Sequence, residues 1–211
     1  MRTRIKICGL TREQDIDACV DAGADAIGFV FYPKSKRCLT VARAAELRKR
    51  VPAFVSVVAL FVNATREEVR AVQTEVQPEL LQFHGDESPE ECRSYGQRYM
   101  KAFRVGGPGL ETAADVLAAC RRYDDAAAWL FDSYTAQYGG SGVAFDLALL
   151  NDVLAAQDAR AVVLSGGLKV ETVGQVVQQV KPWGVDVSSG VEDSPGLKDP
   201  IKISEFFAEF A

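Results

Sequence analysis

Short apolar runs alternate with amphipathic segments along the whole chain. The runs cover residues 5–8, 26–31, 54–61, 80–83, 100–105, 126–131, 161–164 and 185–187. They are rich in β-branched and aromatic residues and mostly continuous, as strands buried on both faces should be. Helix-start chemistry follows most of them. Thr65-Arg66-Glu67-Glu68, Ser88-Pro89-Glu90-Glu91 and Thr11-Arg12-Glu13-Gln14 read as capping boxes, the second with proline at the first helical position. Thr40, Thr112 and Asp146 are further cap candidates, and Asp199-Pro200 opens a last helix. The stretch from about 169 to 180 is helical by spacing, with a less clear cap.

Eight strand-helix units in 211 residues average roughly 26 residues each, against about 31 in a typical 250-residue barrel. The expected fold is α/β: a single compact (β/α)8 TIM barrel with eight parallel strands, one domain over residues 1–211. An open doubly wound sheet is the rival. Polar residues help to separate the two. Cys8, Arg37, His84, Asp132, Gly166-Gly167 and Ser188-Ser189 all fall at or just beyond strand C-termini. Across an open sheet they would spread over roughly 30 Å, whereas a closed barrel gathers them at one mouth.

Composition narrows the chemistry. The net charge of −5 argues against nucleic-acid and membrane partners, so an anionic ligand must be held by local features. The five cysteines are odd in number, form no C-x-x-C pair, and have one histidine beside them, which fits a reduced, cytoplasmic chain without structural metal. No apolar stretch of signal-peptide or membrane-span length is expected.

Cys8 ends the first strand and stands just before a helix start, where free amides and the helix dipole favour a thiolate. A free cysteine is more often a small core hydrophobe, and Cys19, Cys92 and Cys120 fit that description. Asp132 ends the sixth strand, ahead of the longest connection, which carries Tyr138-Gly139-Gly140-Ser141-Gly142. A glycine-bearing loop behind a strand-end acid suggests a mobile cover. Gly166 and Gly167 after strand seven, with Ser188 and Ser189 after strand eight, suggest phosphate binding, because barrels often hold phosphate there. Arg37, in a basic loop, suits a carboxylate or a solvated face. His84 is either a satisfied loop residue or a substrate contact.

These segments, in this order, resemble the phosphoribosylanthranilate isomerase family of the tryptophan pathway. The matching stretches are Lys6-Ile7-Cys8-Gly9-Leu10-Thr11, the run from Gly23 to Phe31, Ser35-Lys36-Arg37, and Gln82-Phe83-His84-Gly85-Asp86-Glu87. Gly139-Gly140-Ser141-Gly142, Leu164-Ser165-Gly166-Gly167-Leu168, the run from Val185 to Glu192, and that from Ser194 to Asp199 complete the set. The resemblance implies a cofactor-free (β/α)8 isomerase that performs an Amadori rearrangement of N-(5-phosphoribosyl)anthranilate. It puts Cys8 at the base position, Asp132 at the acid position and Arg37 on the anthranilate carboxylate. Gln82, His84 and Asp186 are candidates for touching substrate or for ordering the mouth. Leu147 and Ser133 stand where many relatives carry tryptophan and threonine. A monomer is the default. The runner-up readings are the related histidine-pathway aminoaldose isomerase, which would want an aspartate in place of Cys8, and a non-catalytic phosphate-binding barrel.

Overall fold

The computed structural model describes residues 2–134 and 145–210. Eight parallel strands close into one barrel in sequence order: β1 (Arg4–Cys8), β2 (Ala26–Val30), β3 (Ser56–Phe61), β4 (Leu80–Phe83), β5 (Tyr99–Val105), β6 (Ala128–Ser133), β7 (Ala161–Leu164) and β8 (Gly184–Val187). The helices are α1 (Glu13–Asp21), α2 (Val41–Arg48), α3 (Arg66–Glu75), α4 (Pro89–Ser94), α5 (Ala113–Arg121), α6 (Asn151–Ala155), α7 (Val170–Val180) and α8 (Pro200–Ala208). Closure removes the open-sheet alternative, because β8 pairs back onto β1 with Lys6 opposite Asp186. The proposed cover loop around Tyr138 to Gly142 lies outside the described residues.

The caps explain most of the helix starts. Thr65 and Glu68 form a full capping box on α3. Thr40, Ser88, Thr112 and Asp199 each accept an amide at the head of a helix, and Asp146 does so for the 3₁₀ turn 147–150. Thr11 does not cap α1. Its hydroxyl donates instead to the Gly196 carbonyl at 2.7 Å, and the N-cap is Arg12, without a side-chain bond. Phe54 also departs from expectation. It sits at φ 72° in the turn before β3, with its ring fully exposed, so the strand begins at Ser56. After β8 a 3₁₀ turn leads into a small hairpin, β9 (Glu192–Ser194) and β10 (Leu197–Lys198), which the apolar pattern did not signal.

The register sorts the side chains into two cores. Residues such as Ile7, Ile27, Phe29, Phe61, Phe83 and Phe131 point outward into the layer between strands and helices, where the large core sits. Inside the barrel, Val58, Met100, Ala102, Ala128, Leu130 and Val163 form a separate small apolar plug. Above the plug, toward the strand C-termini, the inward positions turn polar. Lys6, Asp186, Gln82, His84 and Asp132 are all buried there. Such a layer is costly unless every group finds a partner, and the partners chosen define the site.

Candidate active site

The mouth opens into a cleft of ≈ 320 Å³. Cys8 from β1 and Asp132 from β6 both line it, with Arg37, His84, Asp186, Gly166, Gly167, Ser188 and Ser189. The sequence candidates therefore meet in one place, apart from Gln82. That side chain is fully buried behind His84, and its Oε1 has no hydrogen-bond partner among the described residues.

Asp132 is held from two sides. Its Oδ1 accepts the Ser133 amide at 2.8 Å, and its Oδ2 lies 3.1 Å from His84 Nε2. His84 Nδ1 in turn lies 3.1 Å from Gln82 Nε2. Gly166 makes room for this arrangement. It adopts φ +76°, and a β-carbon there would come within 2.6 Å of Asp132 Oδ1. The glycine after strand seven thus shapes the acid as well as the turn.

Cys8 packs with Val30, Leu60 and Val62 and is 6% exposed. The expected amide activation is absent, because the amides of Gly9 and Leu10 both donate to the Gly28 carbonyl, at 2.8 and 3.1 Å. Burial, the largest influence, pushes the thiol above its ordinary range, while the nearby Lys6 ammonium pulls the other way. The sequence expectation of a lowered thiol is therefore reversed. Free amides cannot stabilise a charge when they already have partners, and desolvation penalises the thiolate.

Lys6 escaped the sequence reading, although alternation along β1 puts it on the same face as Cys8. Its Nζ donates to both oxygens of Asp186, each at 2.8 Å. Both side chains are almost wholly buried. Glu192 was also missed as a partner. Its carboxylate takes a fork from Arg37, Nε to Oε1 at 2.7 Å and Nη2 to Oε2 at 2.6 Å, and accepts Lys198 Nζ at 2.8 Å. This anchors Arg37 at the rim and raises its pKa. Ser188 donates its hydroxyl to the Cys8 carbonyl at 3.0 Å, tying the strand-eight loop to the strand-one end.

A basic rim, a glycine turn after β7, and a sulfur and a carboxyl opening onto one cleft fit aminosugar-phosphate isomerisation. Residues 5–209 match the family described as N-(5'-phosphoribosyl)anthranilate isomerase. The chain belongs to that family. The family member from Bordetella bronchiseptica is 62% identical over 208 residues, covering 99% of this chain and 95% of the relative. The one from Dechloromonas aromatica is 50% identical over 208 residues, covering 99% and 96%. Among solved structures, phosphoribosyl anthranilate isomerase from Thermotoga maritima superposes with a TM-score of 0.87 at 40% identity, covering 98% of each chain. Another structure of the isomerase, in complex with reduced 1-(o-carboxyphenylamino)-1-deoxyribulose 5-phosphate, gives 0.84 at 37% identity, covering 98% and 97%.

Proposed function

We propose that this isomerase converts N-(5′-phosphoribosyl)anthranilate to 1-(2-carboxyphenylamino)-1-deoxyribulose 5-phosphate in tryptophan biosynthesis, with Cys8 as general base and Asp132 as general acid. The observation that carries the assignment of roles is that one sulfur and one carboxyl, from β1 and β6, face a single cleft. Its volume is at the small end of the range for ligand pockets.

The substrate spans the cleft in one direction. Its phosphate lies against the turns at Gly166-Gly167 and Ser188-Ser189, where glycine lets backbone amides approach an anion. Its anthranilate carboxylate meets Arg37. Glu192 already holds Nε and one edge of Nη2, so among the described residues Nη1 is the face of the fork left for a ligand. The sugar is thereby fixed between acid and base, which replaces an improbable collision by an oriented contact.

Asp132 enters protonated and donates to the ribose ring oxygen as the C1′–O bond breaks. The nitrogen lone pair forms the C1′=N bond, leaving an iminium that acidifies the C2′ hydrogen. Cys8 thiolate takes that proton and becomes a thiol. The C2′–H electrons form C1′=C2′, and the iminium electrons return to nitrogen. The resulting enolamine gains a proton at C1′ and loses one from the C2′ hydroxyl, giving the ketone, as Cys8 returns to thiolate and Asp132 to the acid. His84 positions Asp132, and Gln82 positions His84. Asp186 stands at the cleft floor with both oxygens turned to Lys6.

Arg37→Ala is expected to raise KM about ten- to a hundredfold with kcat little changed, since one charge-assisted contact is worth roughly 1.5–3 kcal/mol. Steady-state kinetics would check it, and an unchanged KM would remove Arg37 from the carboxylate site. The activity itself is tested by assaying the purified chain on both aminoaldose phosphates, the anthranilate substrate and its histidine-pathway counterpart. Turnover of the first only is the expected result. The chain is proposed to act as a cytoplasmic monomer, although the Thermotoga maritima isomerase is described as dimeric. Among the described residues no helix is long and apolar enough to cross a membrane.

A further inference from the structure

The buried cation under the proposed base takes no part in the proton transfers. Lys6 and Cys8 are two apart on β1 and share its inner face. Gly28 opposes Cys8 on β2, and its missing β-carbon locates both polar atoms. A carbon built there would lie 2.8 Å from Cys8 Sγ and 3.1 Å from Lys6 Nζ. Sulfur and ammonium therefore crowd one point, and only glycine leaves room for them. Behind Nζ, the Asp186 carboxylate holds the ammonium through both oxygens.

We propose that Lys6 is a positioning residue for the proposed base, its ammonium supplying the counter-charge that lets the buried Cys8 sulfur exist as a thiolate. The inference rests on the assignment of Cys8 as base. Asp186 aims the ammonium and also opposes it, because its own negative charge disfavours a second anion nearby.

Other charges around the sulfur are consistent with this ranking. Lys198, on β10, also favours the thiolate but acts less strongly than Lys6, and its ammonium is bound to Glu192 and Ser188. Arg37, from the loop after β2, interacts with Cys8 while forked to Glu192. Val30, Leu60 and Val62, which pack on the sulfur from β2 and the end of β3, carry no charge. Among the described residues, Lys6 combines the inner face of the same strand with a place beside the sulfur at Gly28.

The test reads the thiolate without turnover. Alkylation of Cys8 by iodoacetamide is followed against pH by peptide mass mapping, which separates it from the exposed Cys38. Lys6→Met is expected to move the alkylation midpoint up by roughly 1–3 pH units, the shift typical of losing one adjacent opposite charge. It also leaves Asp186 unpaired and could fail to fold, so the deciding variant is Lys6→Met with Asp186→Asn, which removes both charges. The midpoint is expected to stay raised in the double variant, and Lys6→Arg is expected to restore much of the wild-type value. A double variant with the wild-type midpoint would overturn the proposal, because Lys6 would then serve only to neutralise Asp186. If the base assignment were wrong instead, the midpoints would still shift as expected while Cys8→Ala kept its turnover.

Discussion

Cys8→Ala is expected to lower kcat by about 10²–10⁴-fold, the usual contribution of one positioned proton transfer. Alanine removes the sulfur and keeps only the β-carbon, so nothing at that position can accept the C2′ proton. Phosphate and carboxylate contacts are untouched, so affinity for a product analogue should hold. Near-normal turnover would end the role of the sulfur. The pH dependence follows from the same group. A thiol is a base only above its pKa, and in the free protein burial pushes Cys8 above the ordinary cysteine range. The ascending limb of kcat/KM, which reports free-enzyme groups, should therefore keep rising beyond the pH at which an ordinary cysteine has titrated. A limb that levels off in the acid range would contradict the assignment.

Asp132→Asn should cost turnover on a similar scale, for a different reason. The amide keeps the shape of the carboxyl, so the Ser133 contact can survive. Its nitrogen, turned toward His84, offers a hydrogen bond but no acidic proton. Ring opening then lacks its donor, and kcat should fall while analogue affinity holds, as steady-state kinetics and calorimetry would register. An Asn variant that retained kcat would mean that another group or water protonates the ring oxygen.

The barrel was readable because its signals are local. Continuous apolar runs give strands covered on both faces; Thr65 and Glu68 form the box that their spacing suggests, and Ser88 forms the serine half of one by accepting the Glu91 amide. The site was readable for a related reason: strand-end polar residues of a closed barrel converge whatever their separation in sequence. Long-range pairing hid the rest. Thr11 looked like a cap but bonds Gly196 across the fold. Glu192 gave no local hint that it would clamp Arg37, 155 positions away. The acidity of Cys8 was misjudged because strand-to-helix position says nothing about whether the amides there are already used. Gly28 spends its carbonyl on those amides, and its missing side chain leaves the space that Lys6 occupies. Phe54 failed for a simpler reason: an aromatic residue beside a valine-rich run reads as strand, yet here it closes a turn at positive φ.

The most direct test is a crystal structure of the chain bound to the reduced product analogue. Its phosphate should lie against Gly166-Gly167 and Ser188-Ser189 and its benzoate on Arg37, with the Cys8 sulfur nearest C2′ and the Asp132 carboxyl nearest the former ring oxygen. An analogue bound with both groups at the same end of the sugar, or with the sulfur walled off from it, would contradict the account.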